Sequence, residues 1–148
     1  MNVMNPLQVF HEKYIKGTDP RGIVPNRKLL LCYLTFATKK GINASGHPVY
    51  IKTKVLKHLY DKKPAQVYDF IINNIYKIVR FPDFVYKNLD SKTGNFCFIK
   101  EFDDKKYFCS IQDNGKGKIE VVTVFPIEDK YIKKYELLWS WRDGKPSS

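Results

Sequence analysis

Apolar side chains along this chain first recur at a helical spacing, then at a strand spacing. Val67, Phe70, Ile71, Ile75 and Ile78 make one continuous face, widened by Tyr68, Ile72, Tyr76 and Val79. That spacing predicts an amphipathic helix. Pro64 suits its first turn, where a missing amide costs nothing. Pro82 ends it, because a proline disfavours helical backbone at the residue before it. Beyond Pro82 the period falls to two. Strands are predicted at Phe84–Lys87, Asn95–Phe102, Lys106–Gln112 and Lys118–Phe125. Phe96, Phe98, Lys100 and Phe102 fall on one side of the second, and Ile119, Val121, Thr123 and Phe125 on one side of the last. Asp103-Asp104-Lys105 and Asp113-Asn114-Gly115 supply the turns. The expectation is an α+β fold, with helices packed on a three- to four-stranded antiparallel sheet.

The flanks read less uniquely. A short helix is expected at Leu7–Ile15, with His11 on its surface or at its cap. Gly17-Thr18-Asp19-Pro20-Arg21-Gly22 is turn chemistry. Arg27–Lys40 keeps helical spacing through Leu29, Leu30, Tyr33, Leu34 and Ala37, although Leu30–Phe36 also fits a strand; helix is the reading adopted. His47 lies in a loop, and Val49–Ile51 is short and β-prone. Thr53 is the expected N-cap of a helix carrying Val55, Leu56, Leu59 and Tyr60. His58 falls at the edge of that stripe, with Lys54 one turn before it and Lys62 one turn after. Glu128 and Asp129 are expected to open a final helix with Tyr131, Tyr135 and Leu138 on its apolar side.

Charge narrows the function. A net charge of +11 on 148 residues points to a polyanionic partner. The same charge also suits a soluble protein with a lysine-rich composition. The three cysteines have no zinc spacing, so buried free thiols in a reducing compartment are expected. No signal peptide is evident, and the longest mostly apolar run, Leu29–Ala37, is too short to span a bilayer. The sequence carries no P-loop, GxGxxG, HExxH or GxSxG, and no carboxylate pair suggests a two-metal nuclease.

RNA offers cleavage without a metal, because its own 2′-hydroxyl attacks the neighbouring phosphorus. The protein must then move protons and stabilise a crowded phosphorane. His58 suits proton transfer near neutral pH. Lys54, Lys57, Lys62 and Lys100 suit phosphate charge, Thr123 offers a hydroxyl, and Tyr86 or Trp139 a base-stacking ring. Each also has an ordinary role. Helical histidines often pack structurally, lysines are commonly solvated, Thr123 is a normal strand residue, and Trp139 could be a core anchor.

Four stretches, in order, carry a resemblance over Tyr50–Trp139. They are Val55-Leu56-Lys57-His58-Leu59, Ile78-Val79-Arg80-Phe81-Pro82-Asp83-Phe84-Val85-Tyr86, Phe98-Ile99-Lys100-Glu101 and Val121-Val122-Thr123-Val124-Phe125. The chain resembles the phage-associated nuclease-like domains of the barnase–EndoU–colicin–RelE (BECR) superfamily. The resemblance implies a BECR-like sheet and metal-independent RNA cleavage, as in toxins or phage-borne effectors. By motif position it assigns His58, Lys100 and Thr123 as catalytic. Lys54, Lys57, Lys62, Tyr86 and Trp139 are then the candidate RNA- and phosphate-binding residues. The chain departs from the family at Lys62-Lys63-Pro64, where a basic-His step is common. The expected organisation is an extension or cap at 1–48, a nuclease domain at 49–142 and a disordered tail at 143–148. RNA, tRNA among it, is the expected partner, with an acidic immunity or antitoxin protein as another. No cofactor, metal or membrane is expected, and the expected location is cytoplasmic, or the cytoplasm of a target cell into which the protein is delivered. A non-catalytic RNA-binding or protein-interaction module is the alternative.

Overall fold

The computed structural model describes residues 5–89 and 94–144. Helix α1 (Pro6–Tyr14) comes first, then β1 (Lys28–Tyr33), α2 (Phe36–Ile42), β2 (Pro48–Lys52), α3 (Thr53–Lys62) and α4 (Ala65–Arg80). The second half holds β3 (Phe84–Lys87), β4 (Phe96–Phe102), β5 (Lys105–Asp113), β6 (Ile119–Ile127), α5 (Asp129–Ile132) and β7 (Glu136–Ser140), closed by a 3₁₀ turn (Trp141–Gly144). The tail expected at 143–148 lies, from residue 145 on, outside the described residues.

The α+β class stands, but the expected three- to four-stranded antiparallel sheet does not. The described residues form a seven-stranded mixed sheet in the order β1-β2-β6-β5-β4-β3-β7. β3 to β6 make the anticipated meander. The additions are β1 and β2 on one side and β7 on the other. Leu29–Tyr33 is strand, not helix, because β2 supplies an antiparallel ladder from Lys28↔Lys52 to Tyr33↔Pro48. Both periodicities fitted this run of leucines, and the tertiary partner decided between them. Helix begins only at Phe36, where the Thr35 hydroxyl accepts from the Thr38 amide at 3.2 Å. The final helix stops at Ile132. Glu136–Ser140 instead pairs antiparallel with β3, which would otherwise be a bare edge.

One seam makes the sheet mixed. β2 and β6 run parallel through Val49↔Ile119 and Tyr50↔Glu120. The Glu120 carboxylate lies between Lys28 (3.3 Å) and Lys52 (3.6 Å), one from each strand of the first pair. Beyond the seam, Asp113 accepts from the Ser45 amide at 2.7 Å and from its hydroxyl. The Ser45 hydroxyl oxygen in turn accepts from the Gly117 amide at 2.8 Å. A side chain on Gly46 would sit 2.9 Å from the Gly117 carbonyl, so that close approach needs a glycine.

The main core lies between the sheet and helices α1, α3 and α4. Leu56, Leu59, Ile71, Ile75, Ile78, Phe98, Ile111 and Ile119 are among its fully buried side chains. Phe70 of α4 stacks on Tyr107 at 4.7 Å and meets Phe102 edge-on at 5.0 Å. A smaller cluster of Cys97, Ile99, Phe108 and Ile132 covers part of the other face, with Phe125 stacked on Phe108 at 4.5 Å. The expected single-sided alternation along the last strand fails at one point. The register steps from Ser110↔Thr123 to Ile111↔Val121, leaving Val122 as a bulge. Ile119 and Val121 therefore face the helices, whereas Thr123 and Phe125 face the other way.

Thr53 is not the N-cap. Lys52 holds that position without a side-chain cap bond. The buried Thr53 hydroxyl instead donates to the Pro25 carbonyl at 2.6 Å and accepts from the Arg27 amide at 3.0 Å. Pro64 is the N-cap residue of α4, one position before the first turn expected for it. All three cysteines are free thiols; burial pushes Cys32 and Cys97 up to about 12 and raises Cys109 as well. Among the described residues no helix is long and apolar enough to cross a membrane.

The Asp113 bonds give a test. Burial alone would raise this carboxyl, but the Ser45 hydroxyl, the Ser45 amide and the Gly115 amide outweigh it and hold it below its ordinary value. A depressed folded value means the contribution is full above the unfolded value, near ~3.9, and is lost as pH falls through the lower folded one. Asp113→Ala should cost about 1–2 kcal/mol at pH 7. The gap from the parent should close below about pH 4. Urea titrations across pH check this, and a gap constant down to pH 2 would reject it.

Candidate active site

Helix α3 leaves the seam directly after β2 and lies over β2 and β6. Leu56 and Leu59 point into the core, so the opposite side of the helix faces solvent. Lys54, His58 and Lys62 are exposed there. Each is four residues from the next, so they form one line at about 6 Å intervals. The loop Pro20-Arg21-Gly22 faces them, and together with Lys57 and Asp61 they line a groove of about 320 Å³.

Two of the lining groups hold the wall in place. The Lys57 side chain is only 7% exposed; its ammonium donates to Asp61 Oδ1 at 2.8 Å and to the Asp19 carbonyl at 2.5 Å. Asp61 Oδ2 accepts from the Arg21 amide at 3.0 Å. The hydrogen bond from Lys57, with the Arg21 amide and the nearby His58, holds the Asp61 carboxyl below its usual value. Arg21 has φ +63°, a left-handed conformation that a side-chain-bearing residue keeps only when its surroundings enforce it. Its tether to Asp61 supplies that enforcement. Arg21 and Asp61 were missed from sequence. The loop read only as turn residues, and the one available signal was the i,i+4 spacing of Lys57 and Asp61.

The three histidines differ. His11 Nδ1 lies 2.8 Å from the Tyr68 hydroxyl, with the Tyr60 and Tyr68 rings against it, and burial lowers its pKa. It is half-buried, packed on one side against these rings. His47 Nδ1 lies 3.3 Å from the Leu34 carbonyl. His58 makes no such bond among the described residues.

The trio read as catalytic does not gather at one place. Lys100 lies on the helical face of β4, where its ammonium donates to the Phe81 carbonyl at 2.8 Å and lies 3.7 Å from Asp83. It lines a second groove with Trp139 that shares no lining residue with the first. Thr123 sits across from Ser110, whose neighbours Cys109 and Ile111 both point into the main core. Both hydroxyls therefore face away from α3. The Ser110 Oγ is buried there with no hydrogen-bond partner among the described residues. Tyr86 packs on that same far face with Phe84, and burial raises its phenol. Trp139 is only 7% exposed. Among the described residues, no three His, Cys, Asp or Glu side chains gather closely enough to hold a metal ion.

The fold and this groove define a small α+β domain with Lys54, His58 and Lys62 on one exposed helix face. A family model for the phage-Barnase-EndoU-ColicinE5/D-RelE like nuclease 3 family matches residues 34–134, and the chain belongs to that nuclease-like family. The match takes in His58, Lys100 and Thr123; Arg21 precedes it and Trp139 follows it. Neither the curated proteins nor the solved structures contain a match.

Removing the Lys57 tether should loosen the groove wall. Lys57→Ala is expected to lower the Tm by roughly 3 °C, since it removes the cation from the partly exposed Asp61 carboxylate. The Arg21 amide should exchange faster with deuterium. An unchanged Arg21 exchange rate would show that the loop does not depend on Lys57.

Proposed function

We propose that this protein is a ribonuclease that needs no metal and cleaves by attack of the RNA 2′-hydroxyl, with its centre in the α3 groove. The observation that carries this reading is the exposed His58, standing between Lys54 and Lys62 and facing Arg21. Membership of a nuclease-like family supports a nucleic-acid substrate.

His58 acts as general base on the 2′-hydroxyl. The 2′-oxygen bonds to phosphorus, the bond to the 5′-oxygen breaks, and the cyclic phosphate remains on the upstream strand. The leaving 5′-oxygen takes its proton from Lys54 or Lys62, one turn to either side of His58. Arg21 adds a planar donor group suited to phosphoryl oxygens. Lys57 takes no direct part, because Asp61 and Asp19 already engage its ammonium. Lys100 and Thr123 stand outside this groove and are not part of the proposed centre.

The test is cleavage of total RNA and tRNA in EDTA by the parent and by His58→Ala. Cleavage should persist in EDTA and fall about 100-fold in the variant, as loss of general base catalysis requires. Equal cleavage by the two proteins would remove His58 from the reaction. RNA bound with steep salt dependence and no product would make the domain a binding module instead.

A further inference from the structure

A second groove, of about 380 Å³, opens where α4 ends. Arg80, Phe81, Asp83, Lys100, Trp139 and Trp141 line it. Its aromatic groups differ in what they can offer. Trp139 is buried, and a Cβ on Gly41 would meet its Cδ1 at 2.1 Å, so α2 packs directly on the indole. Phe81 is 52% and Trp141 37% exposed, which is high for such large rings at one place. Cations attend both rings. The Arg80 guanidinium lies 5.5 Å from the Phe81 ring centroid, and that of Arg142 lies 5.8 Å from Trp141. Arg80 gives one donor to the Tyr33 carbonyl at 2.7 Å and keeps others. Among the described residues Asp83 is the one carboxylate in the lining; it accepts from the Glu101 amide at 2.8 Å and lies 3.7 Å from the Lys100 ammonium.

We propose that this groove binds unpaired nucleotides of the RNA substrate, with bases stacked on Phe81 and Trp141 and phosphates held by Arg80 and Arg142. Exposed rings flanked by cations suit single strands, whose bases are free to stack and whose backbone is anionic. In a duplex the bases already stack on one another. The inference rests on RNA being the substrate, and it assigns the stacking role to the exposed Trp141 in place of the buried Trp139.

The chain has two tryptophans, and both line this groove, so intrinsic tryptophan fluorescence reads this place alone. The probe is a 2′-O-methyl oligouridine octamer, which cannot be cleaved because its 2′-oxygen is blocked. At fixed salt, saturable quenching is expected with the parent. Phe81→Ala should bind roughly tenfold more weakly. Trp141→Ala, followed through competition with a labelled octamer, should do the same. If Trp141→Ala fails to fold, the parent and Phe81→Ala still decide. No quenching of the parent overturns the proposal. So does equal binding of a duplex containing the same strand, or equal displacement by polyglutamate, which would mark a surface for acidic proteins. Absent quenching beside His58-dependent cleavage in EDTA would remove this groove and leave the ribonuclease reading intact. Quenching without cleavage would do the reverse.

Discussion

Two residue pairs join the two parts of the sheet. Val49↔Ile119 and Tyr50↔Glu120 form the parallel seam, and α3 starts one residue after β2 ends. The direction of α3, and with it the line Lys54–His58–Lys62, is therefore set by how β2 lies on β6. So short a ladder is weak alone. It is reinforced by Glu120 between two lysines, by Ser45 on Asp113, and by Thr53, whose hydroxyl fastens the Pro25–Arg27 segment to the start of the helix. The groove is thus built by long-range contacts, although most of its residues lie within one helix.

That origin explains what could be read from sequence. Helix α4 and strands β3 to β6 were legible because each buries a face, and burial imposes a period on neighbouring residues. The position of His58 beside an apolar stripe was legible for the same reason. β1 and β7 were not. Each is a sheet-edge strand whose apolar residues fit a helix equally well, and only a neighbouring strand decides the matter. Thr123 failed differently. Its strand alternates correctly up to Val121, but the bulge at Val122 shifts the phase by one residue and turns the hydroxyl to the far face. Nothing local marks that bulge. Arg21 was hidden because its place depends on Asp61, 40 residues later.

The charge of +11 is also unevenly available. Lys28, Lys52, Lys57, Lys100 and Lys106 each meet a carboxylate. Pairing these lysines leaves the α3 surface as a place where positive charge stands beside the exposed His58 imidazole. The cysteines offer no competing nucleophile, since burial keeps all three thiols protonated near neutral pH.

The bulge in β6 has a mechanical consequence. Ile119, Val121 and Val124 seal the core under the helices, while Phe125 and Ile127 seal the cluster under α5. One strand therefore belongs to two hydrophobic layers, and neither can open without loosening it. The two faces are linked as a single cooperative unit, so that damage on the α5 side is transmitted through β6 to the seam and to the strand on which α3 rests.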